Sequence, residues 1–336
     1  MRFTLPVVVA MTAALLTGCS LYAEGPDQDE RDRWSRVIES AVEGLPGVAD
    51  AAHTFRYHPY GPNSYYTSRL EVRLEDGATP AESAAVVRVM GDRQLPPHYR
   101  GDSTTVKIRR SADSYSGGWL FGRDVERQAS AAATWARVSA AEVGAEIHWV
   151  AHGVGAIGDA AVGVRAGAET EPQRATAAMR RIIQDFPELA TNDWTVSPPH
   201  GEGMLEQYSR LAPSVTDTGR RARFPTDGEL ALWEWFLTDQ PTPAIVEVAV
   251  SDPPGTAGHA FGVTVFPPVG EKFDAAQATR LADRHLRYLA ERGGVVDYRI
   301  VTRAGLGFAV LVGGCPETRE SVAPESEPFA RQYERC

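Results

Sequence analysis

The run AIVEVAVS at residues 244–251 and the run HAFGVTVF at residues 259–266 decide the fold of this chain. In each run, branched or aromatic residues alternate with smaller or polar residues. That alternation is the period of a β-strand with one buried face. The two runs therefore predict two successive strands.

Helical patterns flank these two strands. Residues 226–237 and 274–292 each begin with a residue that caps helices, and apolar residues recur along one side of each segment. Gly293-Gly294 ends the second helix. Strands over 295–303 and 308–313 follow. The region thus reads as helix, strand, strand, helix, strand, with room for one extra edge strand.

The same order of elements recurs along the chain at a spacing of about 90–100 residues. The sequence predicts an α+β fold of about three tandem αββαβ modules. The segments between them are polar and contain Gly, Ser or Pro, as linkers do. The predicted modules span 31–110, 123–198 and 224–315, and the predicted linkers span 111–122 and 199–223.

The first 18 residues have the three parts of a secretory signal: Arg2, a mostly apolar run over 5–16 and small residues before a cleavage point. Their ending, Leu16-Thr17-Gly18-Cys19, resembles the lipobox of bacterial lipoproteins. The resemblance implies cleavage between Gly18 and Cys19, a diacylglycerol on the Cys19 thiol and attachment to the outer side of the cell membrane. The alternative is an ordinary secretory signal that happens to contain a cysteine.

The two ends of the mature chain are acidic. Residues 19–30 read as a solvated tether, and residues 316–336 as an acidic tail that does not fold by itself. If Cys19 carries lipid, then Cys315 and Cys336 remain, an even pair in an oxidising compartment. They are predicted to form a disulfide that brings the end of the tail back to the last strand. The alternative is two free thiols.

Composition narrows the class of partner. The 336-residue chain has 34 basic and 44 acidic residues, and loss of Arg2 with the signal leaves a net charge of −11. This charge argues against nucleic acid as a partner. All but two of the basic residues are Arg, and Ala is abundant, which indicates a GC-rich genome such as that of an actinobacterium.

The order helix, strand, strand, helix, strand in an envelope lipoprotein resembles the BON domain family. It also resembles the ring-building modules of secretion-system lipoproteins. The resemblance covers residues 30–315 and depends on the order of elements. It implies BON-like or ferredoxin-like split sandwiches and a role in envelope attachment, with contact to lipid or polysaccharide. It assigns no functional residue.

Motifs that would indicate catalysis or a cofactor are weak. Residues 153–158 match Gly-x-Gly-x-x-Gly, but a strand rather than a helix is predicted to follow, so a hairpin loop is favoured over a dinucleotide site. His148 and His152 are predicted on or beside a strand, where four residues separate them by about 13 Å. No cofactor, metal or catalytic residue is therefore predicted.

An aromatic loop is the best candidate for binding. Tyr57, Tyr60, Tyr65 and Tyr66 cluster around a predicted hairpin. Tyrosine offers a large contact area at a small loss of conformational entropy, which suits sugars or proteins. The alternative is a rigid hairpin whose rings pack on its own strands.

Three functional hypotheses follow. The first is a non-enzymatic lipoprotein of the cell envelope, attached to the membrane through Cys19 and in contact with other envelope proteins or glycans. The second is a lipoprotein that binds a glycan or a small molecule. The third is a hydrolase that acts on wall material, which requires two carboxylates to converge in a cleft.

Overall fold

The computed structural model describes residues 28–58, 65–93, 103–120, 124–141, 143–151, 160–166, 171–197, 210–213, 223–238, 240–250, 261–268, 270–302, 305–316 and 324–336. The predicted signal and most of the tether, with Gly18 and Cys19, lie outside these residues. The described helices are α1 (Gln28–Glu43), α2 (Pro80–Asp92), α3 (Val125–Ala140), α4 (Pro172–Asp185), α5 (Asp227–Thr238), α6 (Ala275–Arg292) and α7 (Glu327–Tyr333).

The described strands are β1 (Val48–His58), β2 (Tyr65–Leu74), β3 (Ser103–Arg110), β4 (Asp113–Leu120), β5 (Glu146–Ala151), β6 (Ala160–Arg165), β7 (Asp193–Ser197), β8 (Arg210–Pro213), β9 (Ile245–Val250), β10 (Phe261–Phe266), β11 (Val296–Thr302) and β12 (Gly305–Val312). They belong to one mixed twelve-stranded sheet, in which neighbouring strands follow one another in chain order. The expected mixture of helices and strands is therefore present.

The pairing pattern recurs along the sheet. Three sets of three strands share one pattern: β1–β3, β5–β7 and β9–β11. In each set, the first strand pairs antiparallel with the second, and the second pairs parallel with the third. A helix connects each parallel pair, since parallel strands need a crossover of a dozen or more residues. β7 and β8, like β11 and β12, then pair antiparallel.

Three segments outside the predicted modules contain regular structure. The linker predicted at 111–122 contains β4, and the linker predicted at 199–223 contains β8, so a fourth strand follows the predicted five elements. The tail, predicted not to fold by itself, contains α7. Short strands in polar segments such as these lack the alternation that identifies a strand in a sequence. Their formation depends on the neighbouring strand with which they pair.

Helix ends follow local chemistry. Thr79 and Asp274 each accept a hydrogen bond from the third helical residue, whose side chain bonds back to the capping backbone N–H. Such capping boxes satisfy donors that the first helical turn leaves without a partner. Gly293, with φ of 80°, ends α6 in a conformation that residues with a Cβ atom rarely adopt.

Clustering of contacts divides the chain into two compact units. The first contains residues up to Arg110 together with Ser116–Ala133, and the second contains Ser111–Tyr115 and Thr134–Cys336. In the first unit, alternate residues of β1, β2 and β3 are buried. Ile38 of α1 and Val87 of α2 are fully buried with them. The opposite face of these three strands carries exposed or half-buried side chains.

The core of the second unit is rich in aromatic residues. Trp135, Trp233 and Phe236 are fully buried. So are His285 and Tyr298, and the Nδ1 atom of His285 lies 2.8 Å from the Tyr298 hydroxyl. Burial raises the pKa of Tyr298 well above its usual value, because a phenolate would lose its hydration.

The C-terminal segment lies against β12. The backbone N–H groups of Gly313 and Arg335 donate 2.9 Å hydrogen bonds to Tyr333 and Gly314, respectively. Phe308 and Phe329 pack with their ring centroids 5.7 Å apart. The sulfurs of Cys315 and Cys336 are at bonding distance, with a Cα–Cα separation of 4.8 Å. The tail folds because it is held on the sheet.

This arrangement predicts the effect of removing the disulfide. We expect the double substitution Cys315→Ser and Cys336→Ser to lower the opening free energy of residues 324–336 by about 3 kcal/mol, because the bridge closes a loop of roughly 20 residues. Hydrogen exchange of peptides from that segment measures the change, and β1 peptides in the first unit serve as the internal control. Unchanged protection of residues 324–336 would contradict the prediction.

Candidate functional site

The β1–β2 hairpin divides its aromatic residues between two faces. Tyr57 lies opposite Tyr66 in the antiparallel register, and His58 lies opposite Tyr65. Because successive side chains of a strand point to opposite faces, the Tyr57–Tyr66 pair and the His58–Tyr65 pair are on different sides. The four tyrosines predicted as one surface therefore do not form one; Tyr60 lies outside the described residues.

The inner pair packs within the hairpin. The ring centroids of Tyr57 and Tyr66 are 4.9 Å apart, and Tyr66 also lies 5.5 Å from Phe55. Trp34 of α1 packs against Phe55 as well. This is the rigid hairpin packing that is the alternative to a binding surface, so Tyr57 and Tyr66 contribute to the core of the hairpin.

The outer pair is open to solvent. The rings of His58 and Tyr65 stack with centroids 4.7 Å apart and an angle of 13° between their planes. His58 Nε2 lies 2.9 Å from the hydroxyl of Thr67, which orients the imidazole. Tyr65 remains 42% exposed, so one flat ring is presented at this end of the outer face.

Basic residues continue the outer face away from this ring pair. Its cations are contributed by all three strands: Arg56 of β1, Arg69 and Arg73 of β2, and Lys107 and Arg109 of β3. The carboxylates on the same face are Asp50 and Glu71. Hydroxyl side chains occupy several of the remaining outward positions (Thr54, Thr67, Ser103 and Thr105). We call these residues, together with Ala52, His58 and Tyr65, the outer face.

Strand register arranges the basic residues. Arg56 pairs with Thr67, Arg69 with Thr105 and Glu71 with Lys107, so Arg56, Arg69 and Lys107 form a diagonal across the three strands. Arg69 also makes a 2.7 Å ion pair with Glu71, with both side chains about half exposed. Such an exposed pair contributes little stability and leaves most donors of the guanidinium open to a ligand.

The sequence contained a signal for this surface. Arg69, Glu71 and Arg73 alternate with buried Leu70 and Val72, which marks them as outward-facing in β2. What could not be read is how β2 aligns with β1 and β3, because a shift of two residues leaves the same side chains outward but joins different partners. The diagonal of cations depends on that alignment.

A buried histidine lies beneath the outer face. His53 Nδ1 is 3.0 Å from Ser35 Oγ of α1, and His53 Nε2 is 2.8 Å from Ser68 Oγ of β2. Its backbone N–H donates to Glu39 Oε1 at 2.8 Å. Burial lowers the pKa of His53 to about 4, because the imidazolium would lose its hydration. His53 therefore holds α1 on the sheet as a neutral side chain.

A second polar network lies in the second unit. Ser114 Oγ on β4 is 2.8 Å from His148 Nδ1 on β5, and His148 Nε2 is 3.3 Å from Glu146 Oε2. A hydroxyl, an imidazole and a carboxylate in series can activate a nucleophile. Such a series is effective where its carboxylate is shielded from bulk solvent, whereas the Glu146 side chain is 43% exposed. The arrangement favours a surface hydrogen-bond network.

Within the described residues, no group of three His, Cys, Asp or Glu side chains is placed to hold a metal ion. No helix in the described ranges is both long and apolar enough to cross a bilayer. His152 and the glycine-rich loop at 153–158 lie outside the described residues.

Comparison with known proteins adds no relative. No family model, no curated protein sequence and no solved structure matches the chain. The class that the described residues define is a mixed α/β protein with a long sheet and a solvent-exposed basic face in its first unit.

The buried His53 predicts a pH dependence of stability. Its pKa in the folded state lies below the unfolded value of 6.5, so the folded chain binds fewer protons between these two values. The contribution of His53 is therefore complete above about pH 6.5 and is lost as the pH falls toward 4. We expect the first unit to lose about 2 kcal/mol between pH 7.5 and pH 5 through this group.

Hydrogen exchange of β1 and β2 peptides at the two pH values measures this loss. In His53→Gln the pH-dependent part should disappear, because glutamine does not titrate. His58→Gln, a histidine on the outer face of the same strand, is the matched control and should keep the dependence. An equal pH dependence in His53→Gln and the wild type would show that His53 is not its source.

Proposed function

We propose that this chain is a bacterial lipoprotein, held on the extracytoplasmic side of the cell membrane by lipid on Cys19. It acts by binding rather than by catalysis, in interaction with, or assembly of, the cell envelope. Its partners are the membrane, through that lipid, and other envelope proteins or glycans. Neither a cofactor nor nucleic acid has a part in this function.

The use of cysteine carries the proposal. The chain has three cysteines. Cys19 ends the lipobox-like stretch, and Cys315 and Cys336 lie at bonding distance. Disulfides persist in oxidising compartments and are rare in the cytosol. A pair of bonded cysteines therefore supports the same location as the N-terminal signal, although the two features are independent of each other.

The architecture supports a binding role. We infer that the three stretches 31–110, 123–198 and 224–315 are tandem modules of related BON-like topology, each extended by a further strand at its end. The recurring pairing of antiparallel and parallel strands supports this inference. In a split βαβ unit another strand lies between the two parallel strands, whereas here the parallel strands pair directly.

The experiment on the anchor uses Cys19→Ser. We expect the wild type to sediment with membranes and to enter the detergent phase on partitioning, because two or three acyl chains make attachment nearly permanent. The variant should be released to the soluble fraction. Mass spectrometry of the N-terminal peptide should show lipid on Cys19 in the wild type.

The double variant Cys315→Ser and Cys336→Ser is the matched control, since it removes thiols but keeps Cys19. It should remain with the membranes. If Cys19→Ser fractionates like the wild type and the N-terminal peptide carries no lipid mass, the anchor is refuted.

A further inference from the structure

We propose that the outer face binds an acidic polysaccharide, whose anionic groups lie on the arginine and lysine side chains and one of whose sugar rings lies against Tyr65. The proposal deepens the binding function proposed above and rests on it. It names the site and the chemistry of the ligand.

Charge complementarity is the first argument. The outer face has five cations against two carboxylates, whereas the whole chain carries a net charge of −10. A patch of opposite sign on an acidic protein attracts polyanions locally, while the rest of the surface repels them. A polyanion can therefore be attracted to this face although the chain as a whole is acidic. Four of the five cations are arginines, whose planar guanidinium can bind carboxylate or phosphate through two parallel hydrogen bonds.

The spacing of the cations suits a linear polymer. Neighbouring strands are about 4.8 Å apart, and outward residues follow every two positions along a strand, so each step of the diagonal from Arg56 through Arg69 to Lys107 is roughly 8 Å. From Tyr65 to Arg73, the face extends for about 27 Å along β2. A flat, open surface of this length can contact several sugar units at once.

Arg73 and Arg109 place two guanidinium groups side by side. They are register partners on β2 and β3, and both are exposed on the outer face. Asp50 of β1 is the register partner of Arg73 on its other side. Two neighbouring guanidinium groups can bind one carboxylate or phosphate group of a ligand through charge-assisted hydrogen bonds.

The neutral residues of the face fit sugars. Tyr65 presents a flat ring that is partly exposed to solvent, and stacking on His58 holds that ring in place. Between the cations lie the hydroxyls of Thr54, Thr67 and Thr105, which both donate and accept hydrogen bonds. Sugar hydroxyls need partners of this kind, whereas a simple anion does not.

Other occupants fit less well. The apolar residues among the outer-face residues are Ala52 and Tyr65. A protein partner would need an apolar patch that excludes water, and insertion into a bilayer would need protruding apolar side chains. Single-stranded nucleic acid would need several stacking rings along the strands, whereas the outer face has its ring pair at one end.

The test measures binding of the full chain, purified in detergent, to polygalacturonate by biolayer interferometry at low and high salt. The triple variant Arg56→Gln, Arg69→Gln and Lys107→Gln removes the diagonal. Arg33→Gln, Arg36→Gln and Arg93→Gln remove the same charge from exposed positions of α1 and the end of α2, and so form the matched control. Tyr65→Ala tests the ring.

We expect the diagonal variant to bind about tenfold more weakly and with a smaller dependence on salt, and the control to bind within about twofold of the wild type. Tyr65→Ala should weaken binding without changing the salt dependence. Neutral dextran should not bind to any of the proteins. Circular dichroism of each variant verifies that the fold is retained.

Four results would overturn the proposal: no binding of polygalacturonate, equal loss in the diagonal and control variants, tighter binding of anionic phosphatidylglycerol vesicles, or tighter binding of single-stranded oligonucleotides. Each result is independent of the membrane fractionation of Cys19→Ser. Loss of the anchor with intact polysaccharide binding would refute the proposed location alone, and the reverse would refute this site alone.

Discussion

The structure depends on one constraint: each strand has two faces, and in the first unit helices cover one of them. His53 holds a helix on this face. Its two ring nitrogens lie within hydrogen-bond distance of Ser35 of α1 and Ser68 of β2, and its backbone N–H donates to Glu39 of α1. A neutral imidazole buried in this way fixes α1 over the inner face. Every residue at the alternate positions of β1, β2 and β3 must then face outward.

The side chains at the outward positions are consequently not constrained by packing in the core, and their chemistry can suit solvent or a ligand. In the first unit they hold an excess of positive charge on an acidic chain. In the second unit, outward arginines are matched by carboxylates: Arg210 with Glu247 on the adjacent strand and Arg299 with Asp297 two residues away, each at 2.8 Å. Matched charges stabilise a surface weakly but make it neutral, whereas the five cations of the outer face exceed its two carboxylates. This difference is the reason for proposing an anionic partner for the first unit.

In the proposed function, cysteines near both ends of the chain form covalent attachments. At the N-terminus, lipid on Cys19 would attach the protein to its membrane. At the C-terminus, the Cys315–Cys336 bridge keeps α7 on β12. The acidic tail has little core of its own and therefore packs against the sheet. The same oxidising compartment would suit both ends.

Much of the local structure could be predicted from sequence. The capping residues Thr79 and Asp274, the stop at Gly293 and the alternation of β2 all follow from chemistry within a few residues. The sequence by itself also determined the acidic charge and the N-terminal motif. Tertiary structure alone decided that β4, β8 and α7 form in polar segments, since those elements depend on a neighbouring strand. It also decided that the predicted tyrosine surface is divided, with Tyr57 and Tyr66 inward and Tyr65 outward, and that Arg56, Arg69 and Lys107 align. Register is a relation between distant segments, and no single strand encodes it.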